Sequence, residues 1–233
     1  MEKGAVVYIE YDVWVKESNK LIDTTNEELA KNEKIFDPKA RYGAMPVIIG
    51  AGNVISGLDK ALLNAELGKE YIIDITPSEA YGDRDTKLVE IFSIHEFRRH
   101  KIVPDIGKDV TIKGRIGTVT AITAGRVRVD FNHRLAGKTI KYRYKILKKS
   151  ESEEDKVTAI IDSYYNAKDF EVAVNKDSKE AAIKLPDICK YDEKWFAVKY
   201  KIVNALRDYG NLTKIKFIEE YVKKEEKEAE RPE

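Results

Sequence analysis

Val54-Ile55-Ser56-Gly57-Leu58 reads as a corner at which an extended stretch gives way to a helix. Ser56 opens that helix, and Leu58, Ala61, Leu62 and Ala65 fall on one face of it. Upstream, residues 4–15 alternate as a half-buried strand through Val6, Tyr8, Val13 and Val15, with Tyr11 on it. A polar turn at residues 17–20 leads to Leu21-Ile22-Asp23-Thr24-Thr25. Residues 26–32 make a short helical excursion, ended by Phe36-Asp37-Pro38, and residues 45–49 form an apolar strand stopped by Gly50-Ala51-Gly52-Asn53. Downstream, Gly68 ends the helix, residues 70–76 form a strand with Tyr71, Ile73 and Ile75 on one side, and Glu79-Ala80-Tyr81-Gly82 follows. Each piece alone is ordinary: Asp-Thr-Thr is a turn, Ala-Tyr-Gly is commonplace. Their order and spacing carry the information.

The pattern then breaks. Between Asp83 and Asp130 the chain changes character, with a short helix expected over residues 94–99 and three short strands over 110–113, 117–123 and 126–131. Glycines 107, 114, 117 and 125 punctuate them, as in a compact antiparallel unit. The first pattern resumes at Phe131-Asn132-His133-Arg134-Leu135-Ala136-Gly137-Lys138 and closes with Ile140-Lys141-Tyr142-Arg143-Tyr144-Lys145-Ile146. After a polar linker at 148–156 comes an amphipathic helix carrying Val157, Ile160, Ile161 and Tyr164. Two alternating strands, Phe170/Val172/Val174 and Ala181/Ile183/Leu185, flank the turn at 175–178. A helix over 193–209 and a strand marked by Ile215, Phe217 and Tyr221 complete an αββαβ order, and residues 223–233 read as a solvated tail.

Taken together, the separated segments resemble the FKBP-type peptidyl-prolyl cis-trans isomerases, in particular the long archaeal members and the SlyD-like chaperone group. The resemblance covers roughly residues 4–82 and 131–147. It implies an α+β fold: an antiparallel half-barrel wrapping a short helix (residues 1–83 and 131–149), a small mainly-β domain inserted in the flap (84–130), and a C-terminal α+β domain (153–233). Carried over by position, the catalytic set is Tyr11, Asp23, Tyr81 and Tyr142. The substrate-binding set is Ile22, Met45, Val47, Val54, Ile55 and Leu58, with the Ile55 backbone N–H offered to the substrate and the Tyr81 hydroxyl to a substrate carbonyl. In the SlyD-like group the inserted domain binds unfolded chain, and Ile91, Phe92, Ile94, Phe97, Ile102 and Val103 are the residues expected to form that surface. The chain departs from the small isomerases at the pocket floor, where Leu58 replaces a frequent tryptophan, and at Ile22, where phenylalanine is expected.

Such a residue set suits the chemistry. The resonance barrier to imide rotation is about 18–20 kcal/mol, and the twisted transition state loses that resonance and much of its dipole. An apolar, dry pocket with one or two polar anchors therefore favours the transition state over the well-hydrated planar form. No cofactor and no metal site is expected, and His133 is assigned to the hinge rather than to catalysis.

Composition sets the outer bounds. Apolar residues make up 42% of the chain, enough for real cores, and no apolar run reaches the roughly 18 residues of a membrane span. The single cysteine, Cys189, and the absence of an apolar leader behind Met1 lead to a cytoplasmic expectation. Charged residues reach 36% and glutamine is absent, a pattern of heat-adapted proteins that an AT-rich genome favouring Lys, Ile and Glu codons also produces in part. The stretch 106–149 is rich in Lys and Arg, with only Asp109 and Asp130 opposing them in sequence, which keeps a nucleic-acid-binding module as the alternative. A holding chaperone with an inactive pocket is the third reading. The expected partners are unfolded or nascent polypeptides and prolyl peptides, together with a second copy of the chain through an open sheet edge of the C-terminal domain.

Overall fold

The strand expected over 4–15 is β1 (Val6–Val15), and the first sheet is organised around it. Its other members are β2 (Lys20–Thr24), β3 (Met45–Ile48), β4 (Glu70–Ile75) and, after a long excursion, β9 (Ile140–Lys149). One edge of β1 pairs antiparallel with β9, which in turn pairs with β4. The other edge is divided: β3 takes Val6 to Ile9 and β2 takes Asp12 to Val15. The short α1 (Glu27–Asn32), capped by the Asn26 side chain, lies between β2 and β3. The computed structural model describes residues 1–222, so the tail expected over 223–233 lies outside the described residues.

Alternation on β1 sends Val7, Ile9 and Val13 into one core, where they meet Ile140, Tyr142, Tyr144 and Ile146 from β9. Helix α2 (Ser56–Leu63) fills the concave side, with Leu58 and Leu62 at 1% and 0% exposure. Gly57 explains how the helix comes so close: a Cβ there would lie 2.3 Å from Cγ2 of Ile75 on β4. Any larger residue would push the helix off the sheet.

A second sheet follows β4. It runs β5-β8-β7-β6, all antiparallel, from β5 (Val89–Ser93), β6 (Asp109–Ile112), β7 (Arg115–Thr123) and β8 (Arg126–Asp130). The hairpins turn at Lys113-Gly114 and Ala124-Gly125, all four residues at positive φ, which is where glycine removes a steric cost. β5 is absent from the sequence expectation, because Val89-Glu90-Ile91-Phe92-Ser93 shows no clean period-two pattern. Its place in the sheet corrects two residues of the expected client surface. Phe92 and Phe97, the latter on α3 (Ile94–Arg99), are 4% and 0% exposed and form the core with Val110, Ile112, Val119, Val127 and Val129. A unit this small needs its largest apolar side chains inside. Ile94 and Ile102 are half-buried against that core, whereas Ile91 and Val103 are 58% and 88% exposed.

The third sheet has order β10-β11-β12, from β10 (Glu171–Asn175), β11 (Glu180–Lys184) and β12 (Lys214–Ile218), with α4 (Glu153–Tyr164) before it and α5 (Glu193–Tyr209) between its last two strands. β10 and β11 are antiparallel, β11 and β12 parallel. Tyr221, expected on the last strand, lies beyond its end at Ile218. Trp195, fully buried, is the centre of this core, ringed by Tyr165, Phe170 and Phe217.

This core does not stop at the third sheet. Val6 of β1 and Ile48 of β3, at 1% and 0% exposure, belong to it together with Val157, Ile160 and Ile161 of α4. The first sheet is thus covered on both faces, by α2 on one side and α4 on the other. Arg41, in the loop before β3, adds a fork onto Asp162 of α4 at 2.7 and 2.8 Å.

Candidate functional site

Asp23-Thr24-Thr25 is a local device for holding β1. The Asp23 carboxylate accepts the Tyr11 hydroxyl at 3.0 Å. Thr24 Oγ1 donates to the buried Asp12 carboxylate, which also receives the Arg143 guanidinium at 2.6 and 2.8 Å. Thr25 Oγ1 accepts from the Tyr11 N–H at 2.9 Å and donates to the Tyr11 carbonyl at 3.1 Å. Tyr11 is therefore fixed at its hydroxyl and at its backbone. Its hydroxyl also approaches the Met45 sulfur at 3.6 Å, and its ring lies 5.8 Å from that of Tyr142.

Tyr81 follows a 3₁₀ turn (Pro77–Glu79) that is tied to α2: Ser56 Oγ donates to the Glu79 carbonyl, and Lys60 pairs with Glu79 at 2.6 Å. The Tyr81 ring is stacked on His133, with centroids 4.6 Å apart and planes 6° from parallel. His133 Nδ1 accepts the Leu135 N–H at 3.2 Å, so the imidazole is itself held by its loop. The sequence expectation gave His133 only a hinge role; no spacing could reveal the stack, since the two residues meet across the whole excursion.

The expected site residues come together. Tyr11, Ile22, Met45, Val47, Val54, Ile55, Leu58, Tyr81 and Tyr142 all belong to the core on the concave side of the first sheet, and Asp23 is joined to it through Tyr11. Their exposures divide them. Ile22, Met45, Val54, Ile55 and Tyr81 are half-buried, whereas Leu58 is 1% and Val47 0% exposed. Val47 is thus corrected from a contacting wall residue to a support behind Met45, because its β3 position faces Val7 inside the sheet–helix core.

Electrostatics keep the site uncharged apart from Asp23. Burial drives the Tyr11 phenol well above its ordinary value, assisted by the Asp23 charge and hydrogen bond. Burial does the same for Tyr142, with smaller contributions from Tyr81, Tyr11 and Asp23, and for Tyr81, with Asp23 second. All three remain hydroxyl donors across the neutral range. Among the site's donors left unspent in the described residues are the Tyr81 hydroxyl and the N–H of Ile55, the residue at the N-cap of α2; the Tyr142 hydroxyl has no partner either. A half-apolar pocket with free donors can take an apolar ring and hold carbonyl oxygens beside it.

Several cations of the basic stretch 106–149 are paired in three dimensions, most of them with acids distant in sequence. Arg115 meets Glu90, Arg143 meets Asp12 and Lys113 meets Glu96, while Arg134 takes Asp109. Lys148 and Arg143 spend charge on the rings of Tyr8 and Trp14. At the insert junction, Arg84 takes Asp130 at 2.6 Å, and Asn132 straps the two connecting strands by giving and receiving hydrogen bonds at Asp85. No helix among the described residues is long and apolar enough to cross a membrane.

Comparison with known proteins agrees with this geometry. Residues 1–95 match the family model described as FKBP-type peptidyl-prolyl cis-trans isomerase, residues 90–135 match "FKBP26, IF domain", and residues 153–222 match "FKBP26_C-terminal". A short-type peptidyl-prolyl cis-trans isomerase of Methanocaldococcus jannaschii is 34% identical over 146 residues, covering 63% of this chain and 92% of that one. The FKBP-type isomerase SlyD of Helicobacter pylori is 30% identical over 132 residues, covering 54% and 69%. No similarity found supports the nucleic-acid alternative. With its concave pocket, its unspent donors and relatives of this closeness, the chain belongs to the FKBP-type peptidyl-prolyl cis-trans isomerase family.

Proposed function

We propose that the concave pocket isomerises X–Pro bonds and that the inserted unit (84–130) holds unfolded polypeptide beside it, making the protein a folding helper. The observation that carries this reading is the pairing of an apolar enclosure with unspent donors, among them the Tyr81 hydroxyl and the Ile55 N–H. The proline ring enters over Leu58, between Ile22, Met45 and Tyr142. Tyr81 and Ile55 hold carbonyls of the flanking peptide, and the imide twists in an environment that hydrates its planar form poorly. Tyr11 and Asp23 hold each other in place and keep the pocket's polar corner dry of competing donors. No bond is made or broken, so positioning and desolvation do the catalysis. The inserted unit raises the local concentration of a long substrate near the pocket.

The C-terminal unit is proposed to extend the client surface or to pair with a second copy. Its β10 and β12 are both edges, and Tyr191, Phe196 and Tyr200 are 80%, 55% and 71% exposed. Sedimentation of the full chain at micromolar concentration reads the pairing; a strict monomer removes it.

The central experiment compares the full chain with a form lacking residues 84–130. The readouts are exchange of a short prolyl peptide by NMR and proline-limited refolding of a protein substrate. Peptide exchange is expected to persist within a few-fold, while refolding catalysis falls by an order of magnitude or more. Equal loss on both substrates makes the insert a structural part of the pocket. A full chain that accelerates neither process has a holding function only.

A further inference from the structure

One face of the inserted sheet carries the core and the other lies open. On the open face the antiparallel register sets Ile91 of β5, Arg128 of β8 and Ala121 of β7 in one row, and Ser93, Arg126 and Thr123 in the next. Ile91, Ala121, Thr123, Ala124, Arg126 and Arg128 line a trough of about 300 Å³. Its floor is apolar and small; its only charges are the two guanidinium groups.

These two arginines differ from the others around them. Arg84 is paired with Asp130, Arg115 with Glu90 and the Phe131 ring, and Arg134 with Asp109. Among the described residues the side chains of Arg126 and Arg128 have no hydrogen bond, ion pair or ring contact; only the Arg128 carbonyl is engaged by a side chain, the Thr120 hydroxyl at 3.3 Å. They sit two residues apart on one strand, hence roughly 7 Å apart on the same side, and repel each other. The acid nearest along β8, Asp130, is already bound to Arg84 and Asn132. Among the described residues Arg98 and Arg99 on α3 are likewise without a carboxylate; what sets Arg126 and Arg128 apart is that they lie side by side on one strand, beside exposed apolar surface.

We propose that this trough takes an extended segment of unfolded polypeptide in which an acidic side chain lies beside a small or branched apolar one. A carboxylate is the natural partner for the planar, two-pronged donor array of an arginine. The apolar neighbour covers Ile91 and Ala121. Segments rich in lysine or arginine are turned away by the same two charges, so the selection works by repulsion as well as attraction. This inference rests on the reading that the insert holds clients, and it adds which client segments are held and where.

The test uses the full chain and two fluorescein-labelled, proline-free peptides of equal length and hydropathy, one alternating Asp with Val, the other Lys with Val. Binding is followed by anisotropy at low and at high salt. Exposed ion pairs are individually weak, so the two arginines together should favour the acidic peptide about ten-fold at low salt, with the margin closing as salt is added. R126Q/R128Q should abolish the preference, and R126E/R128E should reverse it; both positions are exposed, and a thermal melt checks that each variant is folded. Equal binding of both peptides by the wild type, unaltered by either double substitution, overturns the inference while leaving client capture intact. Binding of neither peptide, with prolyl-peptide exchange retained, overturns client capture as well.

Discussion

Replacing Gly57 with alanine should destabilise the protein and slow it, although alanine is the better helix former. The added Cβ would sit 2.3 Å from Ile75 Cγ2 and 3.2 Å from Cγ1, against an ordinary contact near 3.4–4 Å. More than 1 Å must therefore be found. Ile75 is 2% exposed and branched at Cβ, so it cannot swing aside cheaply. Overpacking a tight core costs about 1–3 kcal/mol, and the glycine-to-alanine helix gain returns about 1 kcal/mol. The net expectation is a loss of up to about 2 kcal/mol, read as a lowered midpoint in guanidinium unfolding. Because α2 also carries Leu58 at the pocket floor, its displacement should lower kcat/KM on a prolyl peptide. Ile75→Ala removes both offending Cγ atoms, so the G57A/I75A double variant should lose less than the two single losses added together. A Gly57→Ala protein as stable and as active as the wild type would show that the close approach of α2 to β4 does not govern this pocket.

Tyr81→Phe removes the hydroxyl proposed to bind a substrate carbonyl, a hydrogen bond worth about 0.5–1.5 kcal/mol, so prolyl-peptide exchange should fall two- to ten-fold without vanishing; an unchanged rate removes Tyr81 as an anchor. Arg41→Ala breaks the fork onto Asp162, whose side chains are 27% and 19% exposed, and should cost about 2 kcal/mol in chemical unfolding; no measurable change means that α4 is held by apolar contact alone. The raised phenols of Tyr11 and Tyr142 contribute stability that is fully present below the ordinary value of 10.0 and is lost as pH climbs above it, because the unfolded chain then releases protons that the folded one retains. Stability should therefore fall progressively as pH rises above about 10, and Tyr142→Phe should lessen the fall; an equal fall in the variant refutes the assignment.

The concave sheet and its helix were legible because their signals are local and in chain order. Asp23-Thr24-Thr25 can be read as a unit since each of its side chains serves Tyr11 or Asp12 on the neighbouring strand. The helix over 193–209 is α5 to the residue, and the structure adds Asp192 as its N-cap, with a side chain that accepts from the Lys194 N–H. What escaped depended on distant partners. Phe92 and Phe97 look alike as core or as client surface until β5 joins the sheet beside β8. The stack of Tyr81 on His133 needs the excursion to close before either ring finds the other. The cover of α4 on β1 did leave a trace: Ala5-Val6-Val7-Tyr8-Ile9 is an unbroken apolar run, the mark of a strand buried on both faces. Alternation further along the strand hid it.

That two-sided burial has a consequence for how the protein is made. During synthesis Val6 and Ile48 leave the ribosome early, while Val157 and Ile160, which cover them, follow more than a hundred residues later. At about 5–20 residues per second the apolar back of β1 and β3 waits on the order of ten seconds, uncovered, for α4. A protein proposed to shelter the incomplete chains of others begins its own existence as one, with the same kind of surface exposed.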